Sequence, residues 1–143
     1  MPDSALFPYL QVRNVIGEMA WRPIPPLILG SGTQSLQVAG LIDTGADVNV
    51  LPYRIGLELG ASWEEQRRKL ELSGNLASYE ARGIILSTHI APFDAEIRLA
   101  FAWTRAERVP LLLGQVNFLK VFKVCFLGFQ NEFELHLRSD QDT

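Results

Sequence analysis

Chemistry concentrates in one place along this chain, the heptapeptide Leu41-Ile42-Asp43-Thr44-Gly45-Ala46-Asp47. Asp43 offers a carboxylate that can act as acid or base. Thr44 offers a hydroxyl able to lock a neighbouring loop, and Gly45 lets the backbone turn tightly and leaves a reacting group room to approach. An isolated Asp-Thr-Gly is usually no more than an Asx-type turn. Here it lies between Val38-Ala39-Gly40-Leu41-Ile42 and Val48-Asn49-Val50-Leu51-Pro52. Both flanks read as buried strands, which would hold the turn rigidly enough to aim a carboxylate. Other chemistries have less support. His89 and His136 form no His-Glu-x-x-His motif and neither is near Cys125 in sequence, so no metal site or Cys-His pair is expected. The glycines at 30, 32, 40 and 45 lack the Lys-Ser/Thr of a phosphate-binding loop.

The elements that must position this turn are β-like. Leu27-Ile28-Leu29, the turn Gly30-Ser31-Gly32-Thr33, and Ser35 to Ile42 read as a hairpin that delivers Asp43 to its turn. After Pro52, Tyr53 to Gly60 holds one or two turns of helix, limited by Gly56 and Gly60. Ser62-Trp63-Glu64-Glu65 has capping-box spacing and is left open between helix and loop. Strands are expected over Gly83 to Ile90 and over Phe93 to Trp103, where apolar and polar residues alternate at period two. Glu132 to Leu137 alternates as cleanly, with Phe133, Leu135 and Leu137 on one face and His136 on the other, toward the surface. Left exposed, that terminal strand would be a sticky edge. Pro8, Pro23, Pro25 and Pro26 argue for extended segments rather than a long helix in the first quarter. The fold class that follows is all-β, closed or barrel-like, with one or two short helices.

The Asp-Thr-Gly turn with its apolar flanks resembles the active-site motif of the retropepsin-like aspartic proteases, single-domain relatives of the retroviral proteases. A second stretch, Val109-Pro110-Leu111-Leu112-Leu113-Gly114-Gln115-Val116-Asn117-Phe118-Leu119, resembles the family's apolar-apolar-Gly strand and the short helix after it. The two stand in the family's order and at about its separation. Leu72-Ser73-Gly74-Asn75-Leu76-Ala77 lies where the family has its flap, although only Gly74 represents the several glycines of retroviral members. The resemblance runs from Leu27 to Leu137. It divides the chain into an N-terminal extended segment, 1–26, belonging to the domain or to a dimer interface, a protease domain over 27–137, and a polar tail over 138–143.

The resemblance implies an aspartic endopeptidase that hydrolyses peptide bonds in a peptide or protein substrate with an activated water and without a cofactor. Asp43 matches the catalytic carboxylate, Thr44 the hydroxyl that bonds across a dimer, and Gly45 the carbonyl that contacts substrate. Ala46, Asp47, Ser73, Gly74 and Asn75 match substrate-binding positions. Retroviral members pair the residue at Asp47 with an Arg after the downstream Gly. Gln115 stands there instead, so that ion pair is missing and the orientation of Asp47 is open. The chemistry needs two carboxylates sharing one proton, since two like charges cannot both ionise cheaply at contact distance. Only one Asp-Thr-Gly is present, and Asp3, Asp94, Asp140 and Asp142 lack the same context. The resemblance therefore implies a homodimer with one Asp43 from each subunit, its terminal strands pairing between copies. The same fold without turnover, as a catalytically silent dimerisation or protein-interaction module, is the alternative.

Composition narrows the classes further. At 48% hydrophobic and 20% charged residues, the 143-residue chain can bury a real core and matches one ordinary domain. A net charge of −3 gives no footprint for nucleic acid, and the densest basic run, Gln66-Arg67-Arg68-Lys69, reads as a solvated patch. No apolar run approaches the roughly 20 residues of a membrane-spanning helix, and Met1-Pro2-Asp3-Ser4 lacks the basic start of a secretory signal. The single cysteine, Cys125, is expected to be a buried small hydrophobe in a reducing, intracellular compartment.

Overall fold

Alternating apolar residues dictate strands, and the computed structural model, which describes residues 3–138, is mostly β with two short helices. Residues 139–143 of the expected polar tail lie outside the described residues, as do Met1 and Pro2. The strands are β1 (Ser4–Pro8), β2 (Leu10–Arg13), β3 (Met19–Arg22), β4 (Pro26–Ser31), β5 (Gln34–Ala39), β6 (Leu41–Ile42), β7 (Asn49–Leu51), β8 (Lys69–Leu70), β9 (Ala81–His89), β10 (Ile97–Thr104), β11 (Leu112–Leu113), β12 (Phe122–Leu127) and β13 (Glu132–Leu137). The helices are α1 (Tyr53–Glu58) and α2 (Phe118–Val121).

The main sheet runs β5-β4-β9-β10-β7-β11-β6, with β8 added beside β9. Its path ends at β5 and β6, so it is a curled half-barrel and not a closed one. Leu27, Leu29, Leu86, Leu99, Phe101 and Leu113 belong to its core, each almost wholly removed from water. Burial of that kind stabilises by about 1.5–3 kcal/mol per side chain. Helix α1 reaches this core because Gly56 carries no side chain: a Cβ built there would lie 2.2 Å from the Trp103 ring. The Trp103 indole then donates from Nε1 to the Tyr53 carbonyl at 3.0 Å.

A second sheet, β1-β13-β12, packs Phe7 against Phe133 at 5.3 Å between ring centres. Here the structure corrects two expectations. Strand β13 is no sticky edge, because it is paired along both sides by the chain's own β1 and β12, and Phe133 and Leu135 are fully buried. Cys125 is exposed rather than buried. On β12, Phe122 and Val124 turn inward, so period-two alternation sends Lys123 and Cys125 to the outer face.

One further difference has a local cause. The strand expected from Phe93 begins only at Ile97, because Phe93 folds into the core as a turn residue, its amide bonded to the Ile90 carbonyl at 2.9 Å. Ser62-Trp63-Glu64-Glu65 makes a single 3-10 turn without a side-chain cap. The first quarter is β-structured as well: β2 and β3 form a separate two-stranded hairpin. Among the described residues, no helix is long and apolar enough to cross a membrane.

Candidate active site

Strands β6 and β7 flank the Asp43 turn, and β11 lies between them, parallel to β6 and antiparallel to β7. The downstream Leu-Leu-Gly thus braces both sides of the upstream turn. Leu41 N bonds to Leu111 O at 2.8 Å and Asp43 N to Leu113 O at 3.0 Å. Past the turn, Gln115 N bonds to Ala46 O at 2.9 Å and Val116 N to Asp47 O at 2.7 Å. Within the turn, Ala46 N bonds to Asp43 O at 3.1 Å, and Gly45 N donates to Asp43 Oδ1 at 2.9 Å. One carboxylate oxygen is thereby fixed by the backbone, and the half-exposed side chain has no ion pair among the described residues.

Gly114 allows this close construction. A Cβ built there would meet Ala46 O at 2.7 Å and Val48 O at 2.6 Å, both backbone atoms with nowhere to move. Its amide donates to Asn49 Oδ1 at 2.8 Å, while Asn49 Nδ2 donates to Ala100 O at 3.0 Å. A fully buried amide side chain therefore ties β11, β7 and β10 together. Asn117 completes the brace by accepting from Ala100 N at 2.7 Å, on a left-handed backbone with φ of 87°. Gln115 reaches back to the turn: its Nε2 donates to the Thr44 carbonyl at 2.6 Å. Where an Arg would have paired with Asp47, this glutamine instead holds the turn's main chain, and the Asp47 carboxylate is exposed with no ion pair among the described residues.

A cleft of about 790 Å³ opens over the turn. Asp43, Gly45, Ala46 and Asp47 line it on one side, and Ser73 and Asn75 of the 71–80 loop also line it. Thr44 and Gly74, by contrast, are exposed and not among its lining residues. Gly74 forms the start of a 3-10 turn at φ +67°, with nothing within 4 Å of where a Cβ would be. The loop grows from the β8–β9 pair, whose base is tied to Trp63: the Arg82 guanidinium lies 4.8 Å from that ring and donates from Nη1 to the Trp63 carbonyl at 2.7 Å. Leu72, Leu76, Val109 and Leu112 give the cleft apolar wall surface beside its polar groups, and its charged lining residues, Asp43, Asp47 and Glu71, are all acidic. Sequence reasoning gave no site role to Glu71 or Asn49. Only Asn49 carried a signal, as a polar residue in the apolar run from Val48 to Leu51.

No protein-family model matches the chain, and no curated protein sequence matches it. Solved structures do. A retropepsin-like aspartic protease from Rickettsia conorii superposes with a TM-score of 0.60 over 94% of this chain and 93% of that one, at 17% identity. The chain has the retropepsin-like fold. The protease of EIAV, complexed with the inhibitor HBY-793, overlaps with a TM-score of 0.44 and 20% identity, over 65% of this chain and 81% of that one.

Proposed function

We propose that this chain is an aspartic endopeptidase, active as a symmetric dimer in which Asp43 of each subunit supplies one carboxylate. The observation that carries the reading is Asp43 itself: a carboxylate fixed by its own turn, lining a cleft, in a retropepsin-like fold. In such a pair, the ionised carboxylate takes a proton from water as the oxygen attacks the scissile carbonyl. The protonated carboxyl hydrogen-bonds the carbonyl oxygen and neutralises the charge that develops there. The carboxyl that took the proton from water then gives it to the nitrogen as the tetrahedral carbon breaks its bond to that nitrogen, and the amine leaves. Thr44, exposed beside Asp43, is positioned to bond the opposite turn, while Gly45, Ala46 and Asp47 offer polar groups to an extended substrate backbone. Peptide-library digestion followed by mass spectrometry tests the reading. Cleavage blocked by a statin-type inhibitor and indifferent to chelators is the expected result, and cleavage that statins leave untouched overturns it.

The loop over 71–80 is proposed as the flap that closes on substrate, with Ser73, Gly74 and Asn75 at its tip. Its residues are exposed or half-buried, and the first arm, β8, has only two residues to hold it. Gly74→Val would force a β-branched side chain into a left-handed backbone at a cost of about 1–2 kcal/mol, spent locally because the site is open. We expect reduced kcat/KM with the fold intact and a melting temperature lower by only a few degrees. A variant that keeps full activity, or wild-type tip amides among the slowest to exchange hydrogen, would remove the flap assignment.

A further inference from the structure

Strands β2 and β3 form a hairpin with no core of its own. Six of its eight strand residues are exposed and the other two half-buried. Yet half of its exposed residues are large and apolar: beside exposed Gln11, Arg13, Glu18 and Arg22, Leu10, Met19 and Trp21 are each about half exposed, Ile16 is 73% exposed and Val15 entirely so. Isolated two-stranded hairpins are marginal in water, so such a surface calls for something to pack on. The tip is nonetheless firmly built. Asn14 Oδ1 accepts from the amides of Ile16 and Glu18 at 3.1 and 3.0 Å, Gly17 takes φ +83°, and Arg13 bonds the Gly17 carbonyl. Val15 and Ile16 are thus held out in one conformation, which lowers the entropy lost on docking.

Both roots of the hairpin are fixed. Tyr9 N bonds to Asn131 O at 2.8 Å, and Ile42 N, one residue before Asp43, bonds to Pro23 O at 3.0 Å. If two Asp43 carboxylates meet at a two-fold axis, one residue step and one strand spacing put that second root within about 10 Å of the axis. The strands extend about 13 Å beyond it, long enough to reach the other copy. We propose that the β2–β3 hairpin is an intersubunit arm, docking through Val15, Ile16, Met19 and Trp21 onto a second copy of this chain and so holding the two Asp43 turns together. The inference rests on the dimeric reading of the site.

Sedimentation velocity on the full chain, with Val15→Asp and Ile16→Asp combined, is the test. Neither side chain is buried, so the variant keeps the wild-type circular dichroism spectrum. Its dimer dissociation constant rises roughly 100-fold, as for the loss of two central anchors, and its activity returns at high protein concentration. A variant that associates like the wild type overturns the arm and leaves the protease reading intact. So does a wild-type chain that binds phosphatidylserine vesicles through this tip while its self-association ignores the substitutions. A dimer that the substitutions dissociate, but that cleaves nothing, upholds the arm and overturns the protease.

Discussion

Asp43→Asn removes peptidase turnover and leaves the fold in place. The amide oxygen of Asn can still accept from Gly45 N, the bond that fixes the turn at 2.9 Å, so the local geometry has no reason to change. What disappears is the capacity to take a proton from water and hand one on, worth roughly 100- to 10,000-fold in rate. In the proposed dimer the pair contains two copies, so both would be lost together. Self-association at neutral pH should be as strong or stronger, because two carboxylates no longer repel at the interface. The check is a progress curve on a cleaved peptide beside a sedimentation profile of the same sample. Wild-type cleavage by the Asn variant would end the aspartic mechanism.

Gly114→Ala is expected to damage stability and activity at once. The new methyl group would press on the carbonyl oxygens of Ala46 and Val48, and neither can rotate away because both belong to the braced turn. Overpacking of this kind costs about 1–3 kcal/mol, a fall of roughly 3–10 °C in melting temperature at fixed protein concentration. Activity should fall by more than the unfolded fraction explains, because relief comes only by separating β11 from the segment that carries Asp47. Gly128→Ala, where a Cβ would meet nothing within 4 Å, serves as the control. If the two variants melt alike, the close approach at Gly114 does not govern the turn.

Much of the site was legible because its parts are local. The apolar runs on either side of Asp43 became β6 and β7, and Leu112-Leu113, just before Gly114, became the strand beside them. The alternation at Glu132–Leu137 and the short helix after Pro52 were equally plain. What escaped depends on partners distant in sequence. Alternation at Phe133, Leu135 and Leu137 gives a strand but not its neighbours, so that its enclosure by β1 could not be foreseen. Cys125 sits in an apolar run whose edge position decides which face is wet. The hairpin was hidden for another reason: its apolar residues have no core to signal, and Pro8 and Pro23 mark only its limits. Gln115 read as a missing charge, whereas its amide bonds a carbonyl 71 residues away in sequence.

The buried Asn49 amide has a meaning for how this chain finds its fold. Strands as short as β7 and β11 slide easily, and a slip of one residue turns every side chain to the opposite face. Hydrophobic contacts alone would penalise that weakly among so many interchangeable leucines and valines. Asn49 does better, because its amide is satisfied only when Gly114 N and Ala100 O stand at the two correct positions. In any shifted pairing an amide would be stranded away from water, at about 1–3 kcal/mol. A single side chain thus proofreads the alignment of three strands during folding, and the carboxylate at position 43 is assembled only in chains that pass.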